Sequence, residues 1–134
     1  MTNKARRIAV VDDDRFVLRA LRRLLRAAGF EVDTYESGAS FLMAVADHEP
    51  DCLVLDLHMP QTSGFEVQAH LTDSGKRIPV VVITGDDTPE ARLRALSLGA
   101  ECYLRKPVEK SVLLPAIDAA ISSVTHPNSN SGRH

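Results

Sequence analysis

The sequence lacks several features that would point to particular classes of protein. Its 134 residues contain no apolar run that approaches the roughly 20 residues of a membrane-spanning helix. Its basic start, MTNKARR, leads into a short apolar run and an acidic cluster, not into the apolar core and cleavage site of a signal peptide. The formal net charge is only −2, which gives no electrostatic argument for binding nucleic acid or a membrane. We therefore expect a cytoplasmic protein that contacts neither directly.

Cysteine is also scarce. The two cysteines, Cys52 and Cys102, lie far apart, each in an apolar segment. This pattern favours two buried, reduced thiols over a disulfide.

What the sequence does contain is a regular alternation of two kinds of segment. Short runs rich in Val, Ile and Leu predict strands at Arg7–Val11, Phe30–Tyr35, Cys52–Leu55, Pro79–Ile83 and Cys102–Leu104. Amphipathic patterns between and after them predict helices at Asp14–Ala28, Ala39–Asp47, Phe65–Thr72, Pro89–Leu98 and Glu109–Ser123. This spacing predicts an α/β domain with a parallel sheet covered by helices on both faces.

The length allows one domain, which we expect to occupy residues 1–124. The remaining segment, residues 125–134, has the sequence THPNSNSGRH. It is polar and has no apolar period, so we expect a disordered tail.

Polar side chains follow four of the five predicted strands. In chain order these are Asp12, Asp13 and Asp14, then Asp56 and His58, then Thr84, then Lys106 and Pro107. Because ligand sites in parallel sheets form outside the carboxyl ends of the strands, these side chains are expected to share one rim. The second strand contributes nothing comparable, which suits a position at the edge of the sheet.

This set of side chains suits phosphoryl chemistry. Carboxylate oxygens favour a hard divalent cation such as Mg²⁺ or Mn²⁺. Lys106 and Thr84 would supply charge and a hydrogen bond to phosphoryl oxygens, and Asp56 could act as a nucleophile. Asp14 is better placed to begin the following helix than to bind the metal.

The first predicted helix carries a basic stripe. At 100° per residue its apolar side is formed by Val17, Leu21, Leu24 and Ala28. The opposite side carries, within an arc of about 60°, Arg15, Arg19, Arg22 and Arg26. These arginines are either the solvated face of an ordinary amphipathic helix or a docking surface for an acidic or phosphorylated partner.

Four ordered motifs now identify a resemblance: VVDDD, LVLDLHMPQTSGFE, VVVITG and GAECYLRKP. Over residues 6–124 the chain resembles the receiver domains of two-component response regulators. The resemblance implies a flavodoxin-like (βα)5 three-layer sandwich with a five-stranded parallel sheet in the order 2-1-3-4-5. It also implies phosphorylation of an aspartate by a histidine kinase or a histidine phosphotransfer protein, and a downstream protein target.

The resemblance assigns roles at the metal. Asp56 corresponds to the phosphoacceptor and also contacts the Mg²⁺ ion. Asp13 corresponds to a direct metal ligand, Asp12 to a residue that acts largely through water, and His58 to a ligand through its backbone carbonyl.

Further roles follow from the same resemblance. Thr84 and Lys106 would contact the phosphoryl group, and the bond between Lys106 and Pro107 would be cis. Thr84 and Tyr103 resemble the family's switch pair, in which the aromatic ring turns inward as the hydroxyl moves toward the phosphoryl group. Whether phosphorylation produces a homodimer is left open.

A departure from the family's usual pattern, at His58, leads to a hypothesis about the two positions that flank the site. His58 stands two residues after the acceptor, and Asp86 stands two residues after Thr84. We hypothesise that these two residues tune how fast water attacks the aspartyl phosphate, although His58 could instead point to solvent.

Several alternatives remain at this stage. The chain could be a stand-alone receiver, which the sequence favours, or a piece of a longer regulator, and it could be a degenerate receiver that only binds partners. A phosphohydrolase with an aspartate nucleophile would need a second carboxylate at His58. A nucleotide- or flavin-binding domain would need a phosphate-cradling loop where the three aspartates stand. We therefore expect a phosphoacceptor and not a dedicated enzyme.

Overall fold

The structure is a computed structural model that describes residues 5–125, with the backbone alone for 124 and 125. Its strands are β1 (Arg7–Val11), β2 (Glu31–Tyr35), β3 (Cys52–Asp56), β4 (Val80–Thr84) and β5 (Cys102–Arg105). Its helices are α1 (Arg15–Ala27), α2 (Gly38–Val45), α3 (Gly64–Asp73), α4 (Pro89–Ser97) and α5 (Lys110–Thr125). Apart from Thr125, which ends α5, the predicted tail lies outside the described residues.

The five strands form one parallel sheet in the order β2-β1-β3-β4-β5. The flavodoxin-like topology predicted through the resemblance is thereby confirmed, as is the edge position of β2. The inner strands β3 and β4 are buried at every residue. Burial on both faces explains why their sequences, CLVLD and VVVIT, are almost continuously apolar.

Side chains that alternate along the strands build two cores, one on each face of the sheet. Ile8 and Val10 of β1 pack with α1 and α5, whereas Ala9 and Val11 pack with α2, α3 and α4. Most apolar side chains of the strands are buried in these two layers. The polar residues at the carboxyl ends of the strands are left at the rim between them.

The predicted apolar side of α1 was partly wrong. The buried residues are Leu18, Leu21 and Leu25, while Ala28 is exposed. The true buried face is rotated by about 60° from the predicted one. The rotation has a physical reason, because α1 packs beside the edge strand β2 and its arginines line a groove that β2 helps to form.

Local signals set the ends of α1. Asp14 is its N-cap, and the Asp14 carboxylate accepts a hydrogen bond of 2.9 Å from the backbone N–H of Phe16. Gly29 follows the helix with φ +100°, a conformation that favours glycine. The start at Asp14 agrees with the sequence prediction.

Cys52 and Cys102 are free thiols, as predicted, but only Cys52 is fully buried. Burial raises the pKa of Cys52 to about 12. Within the described part of the chain, no helix combines the length and hydrophobicity needed to span a bilayer.

Candidate functional site

Three carboxylates meet at the carboxyl ends of β1 and β3. Asp12, Asp13 and Asp56 each offer an oxygen, and the three oxygens lie within 4.8 Å of one another. Asp12 is 0% exposed and Asp56 is 2% exposed, whereas Asp13 is open to solvent. Two buried carboxylates so close together repel each other and call for a positive partner.

Lys106 supplies part of that charge from the end of β5. Its Nζ lies 2.7 Å from Asp12 Oδ2 and 3.4 Å from Asp56 Oδ1. The contact with Asp12 is an ion pair by distance, although its angles are poor for a hydrogen bond. The backbone N–H of Lys106 donates to the Thr84 carbonyl at 2.8 Å, and the Lys106–Pro107 bond is cis.

Even with Lys106 in place, the site carries an excess of negative charge. Burial, reinforced by the neighbouring Asp12 carboxylate, raises the pKa of Asp56 from 3.8 to about 6, against the opposing effect of Lys106. Burial lowers the pKa of Lys106, but the contacts with Asp12 and Asp56 outweigh it and leave that pKa raised. A single ammonium therefore does not satisfy the buried pair, and a further cation would be bound favourably.

Thr84 ends β4 and is fully buried. Its hydroxyl oxygen accepts a hydrogen bond of 3.0 Å from the backbone N–H of Asp86. The hydroxyl oxygen therefore has a donor in the loop after β4, and its own O–H can still donate a hydrogen bond.

Tyr103 lies inward on β5 and is 8% exposed. Its buried hydroxyl makes no hydrogen bond of ordinary geometry to the described residues, and the Arg92 guanidinium lies 4.8 Å from the centre of its ring. Burial and the nearby Asp87 carboxylate raise the pKa of Tyr103.

Asp87 is a residue that the sequence analysis missed. Its carboxylate is paired with Arg92 at 4.0 Å and with Arg105 at 3.9 Å. Sequence reasoning selected the adjacent Asp86, whose side chain is exposed. The only available signal was an acidic residue just before the Thr88 N-cap of α4, which is too common to single out Asp87.

The structure brings the backbone of His58, but not its imidazole, into contact with Asp56. The His58 N–H donates to Asp56 Oδ1 at 3.4 Å, a long hydrogen bond, and the residue as a whole is exposed. His58 thus contacts the Asp56 carboxylate through its main-chain N–H and not through its side chain.

The basic stripe contributes no ion pair to the cluster of Asp12, Asp13 and Asp56 in the described part of the chain. Arg15 pairs with Glu36 at 3.2 Å, while Arg19, Arg22 and Arg26 form no ion pair with a described residue. All four are exposed along the groove between α1 and β2. Three of the four arginines in the stripe thus present positive charge that no described carboxylate pairs with.

Comparison with known proteins places this site in a family. Residues 8–118 match the response regulator receiver domain. The chain is 36% identical over 133 residues to the response regulator protein TodT of Pseudomonas putida, covering 99% of this chain and 59% of TodT. It is 40% identical over 115 residues to the response regulator MprA of Mycobacterium avium, covering 86% of this chain and 50% of MprA. The chain thus spans only 50–59% of the length of these two relatives.

Similar solved structures lead to the same family. The crystal structure of FixJ-N superimposes with a TM-score of 0.83 at 33% identity, covering 90% of this chain and 96% of FixJ-N. A response regulator receiver protein from Burkholderia phymatum superimposes with a TM-score of 0.78 at 42% identity, covering 89% of this chain and 96% of that protein. Sequence, fold and the cluster of acidic residues lead to one conclusion: this chain belongs to the receiver domains of response regulators.

Proposed function

We propose that this receiver domain is a phosphoacceptor in which Asp56 takes a phosphoryl group from a phosphohistidine. The donor is a histidine kinase or a histidine phosphotransfer protein, and the aspartyl phosphate is a cytoplasmic signalling state read by a downstream protein. The observation that carries this proposal is the buried pair Asp12 and Asp56, which Asp13 and a single lysine accompany at one rim.

The transfer is a substitution at phosphorus. A carboxylate oxygen of Asp56 forms the new P–O bond, the P–N bond to the donor imidazole breaks, and the imidazole nitrogen keeps the electron pair. The reaction needs Asp56 in its charged form. At neutral pH, above its pKa of about 6, this form predominates.

The donor set fits a divalent cation. Asp12, Asp13 and Asp56 supply hard carboxylate oxygens within 4.8 Å, and the exposure of Asp13 leaves room for water ligands. We assign these carboxylates and the backbone carbonyl of His58 to Mg²⁺ or Mn²⁺. When bound, the ion would neutralise charge on the phosphoryl oxygens.

Lys106 and Thr84 are assigned to the phosphoryl oxygens. Lys106 Nζ is already 3.4 Å from Asp56 Oδ1, so its ammonium lies where negative charge accumulates. The Thr84 hydroxyl, whose oxygen accepts from the Asp86 N–H, would donate a hydrogen bond to the phosphoryl group. Together with Tyr103, Thr84 would then report phosphorylation to the face formed by α4 and β5.

Incubation with a small phosphodonor tests the proposal without any partner protein. The intact mass of the native chain should rise by one phosphoryl group in the presence of Mg²⁺ and not in the presence of a chelator. An unchanged mass under both conditions would make this a degenerate receiver that binds partners without being phosphorylated.

We propose that His58 and Asp86 set the lifetime of the phosphorylated state. Both side chains are exposed on loops that follow the strands of Asp56 and Thr84. Replacing either with Ala should change the rate of phosphoryl loss several-fold, because each flanks the path by which water reaches the acyl phosphate. The decay of phosphorylated protein, followed by mass after removal of the donor, checks this. Identical decay of both variants and the native chain would rule it out.

We also propose that the basic stripe docks the protein phosphodonor. The variant Arg19→Glu with Arg22→Glu should slow transfer from that donor on the order of tenfold, since two uncompensated charges change sign at an interface. Transfer from a small phosphodonor should not change. Arg23→Glu is the control for a single charge reversal, because Arg23 is exposed on the same helix but lies off the stripe. Equal slowing with both donors would exclude the docking role.

A further inference from the structure

Gly64, the first residue of α3, lies against the backbone of the proposed phosphoacceptor. A Cβ atom added at Gly64 would be 2.4 Å from the Asp56 carbonyl oxygen and 2.8 Å from Leu57 Cα. Both distances are shorter than real Cβ atoms show, and both partners are main-chain atoms that cannot rotate away. Position 64 therefore requires glycine because its backbone lies so close to that of residues 56–57, and not because of an unusual dihedral angle.

The segment that Gly64 touches is held on a second side as well. The Gly64 N–H donates to the Leu57 carbonyl at 3.0 Å, and the Leu57 N–H donates to the Ile83 carbonyl of β4 at 3.3 Å. Leu57 is therefore fixed between α3 and β4. The next residue, His58, donates its N–H to the Asp56 carboxylate at 3.4 Å. A displacement of this segment would reach the carboxylate directly.

We infer that Gly64 is a positioning residue. Because Gly64 has no side chain, the first turn of α3 can lie close to β3, and this contact sets the positions of the Asp56 carboxylate and of the peptide between Leu57 and His58. Gly64 itself touches neither the metal nor the phosphoryl group. The consequence for phosphorylation rests on the proposed function, whereas the placement of the segment does not.

The start of α3 is itself fixed by a capping box. The Ser63 N–H donates to Glu66 Oε1 at 2.8 Å, and the Glu66 N–H donates to Ser63 Oγ at 3.3 Å. Val67, one turn further along, is fully buried. The capping box and the burial of Val67 therefore hold Gly64 in place against residues 56–58.

The variant Gly64→Ala tests the inference, with Gly38→Ala as its control. A Cβ at Gly38 would also meet close neighbours, Val67 Cγ2 at 2.7 Å, Thr62 Cγ2 at 2.9 Å and the Thr62 carbonyl oxygen at 3.1 Å, but none of these belongs to residues 56–58. Gly64→Ala should weaken Mg²⁺ binding about tenfold by calorimetry and slow phosphorylation by a small donor on the order of 10- to 100-fold. Gly38→Ala should lower the stability and leave both quantities within about twofold of native.

A second pair of variants covers the case in which Gly64→Ala does not fold. Ser63→Ala removes the cap of α3, and Ser37→Ala removes the equivalent cap of α2, where Ser37 Oγ accepts from the Ser40 N–H at 3.1 Å. Ser63→Ala removes one surface hydrogen bond, and Ser37→Ala removes two, the second being from Ser37 Oγ to Ser40 Oγ at 3.0 Å, so both chains should fold. Ser63→Ala should weaken Mg²⁺ binding by about two- to fivefold, and Ser37→Ala should not.

The readouts separate the inference from the proposed function. Amide chemical shifts of residues 56–58 should move in Gly64→Ala and Ser63→Ala but not in the two controls, even in a chain that takes up no phosphoryl group. A native chain that is never phosphorylated would overturn the proposed function alone. Unmoved shifts and native Mg²⁺ affinity in the α3 variants, or equal losses in the controls, would overturn the positioning role.

Discussion

Replacing Asp56 with Asn should give a chain that takes up no phosphoryl group and that is more stable than the native chain at neutral pH. The amide is not a nucleophile toward phosphorus, which accounts for the first effect. The second follows from the raised pKa of Asp56, about 6 against 3.8, since this rise means that the fold disfavours the charged carboxylate. The free energy of unfolding should increase by about 1–3 kcal/mol, because one pKa unit corresponds to about 1.4 kcal/mol.

The sign of the pH dependence follows from the same shift. Between about pH 4 and pH 6 folded Asp56 binds more protons than unfolded Asp56, so its contribution to stability falls as the pH rises. The gain in Asp56→Asn should therefore be small at pH 4 and fully developed above pH 6. Urea unfolding of both chains at pH 4 and at pH 7.5, without divalent ions, measures this gain in stability. A native chain that is the more stable at pH 7.5 would contradict the raised pKa.

Replacing Lys106 with Met should cost both stability and phosphorylation. The substitution leaves Asp12 and Asp56 buried side by side without the ammonium that lies 2.7 Å and 3.4 Å from them. Removing one partner of a buried pair costs roughly 3–5 kcal/mol. Because the Lys106 side chain is 21% exposed, we expect a loss of about 2–4 kcal/mol at pH 7.5. Phosphorylation by a small donor should slow on the order of 100-fold, through the lost charge on the phosphoryl oxygens.

Lys76→Met is the matched control for this prediction. Lys76 is also a partly buried lysine in a short ion pair, 2.9 Å from Glu49, but that carboxylate is half exposed. Its loss should cost no more than about 1 kcal/mol. Mg²⁺ should recover much of the stability of Lys106→Met, since it replaces the missing charge, but not the rate of transfer. Equal losses in the two lysine variants would show that Lys106 does not neutralise the buried carboxylates.

Much of the site could be predicted because its residues follow strands in the sequence. Once β1, β3, β4 and β5 are recognised as parallel, their carboxyl ends must meet, so Asp12, Asp56, Thr84 and Lys106 come together without any knowledge of side-chain contacts. The start of α1 at Asp14 was predictable for a similar reason, because a helix cap depends on neighbouring residues alone.

Features that depend on packing between distant elements could not be predicted. The rotation of α1, which buries Leu18 and exposes Ala28, follows from its place beside the sheet edge and not from its own periodicity. The close approach of Gly64 to Asp56 depends on where α3 meets β3, and a lone glycine before a helix carries no such signal. Asp87 was missed because its partners, Arg92 and Arg105, belong to two other elements.

The measurement that tests the central claim most directly is the location of the phosphoryl group in the native chain. Borohydride reduces an acyl phosphate to an alcohol, so a phosphorylated aspartate becomes homoserine and can be located by peptide mass spectrometry. After incubation with a small phosphodonor, homoserine should be found at position 56 with Mg²⁺ present and not with a chelator. Homoserine at another position, or none at all, would contradict the assignment of Asp56 as the phosphoacceptor.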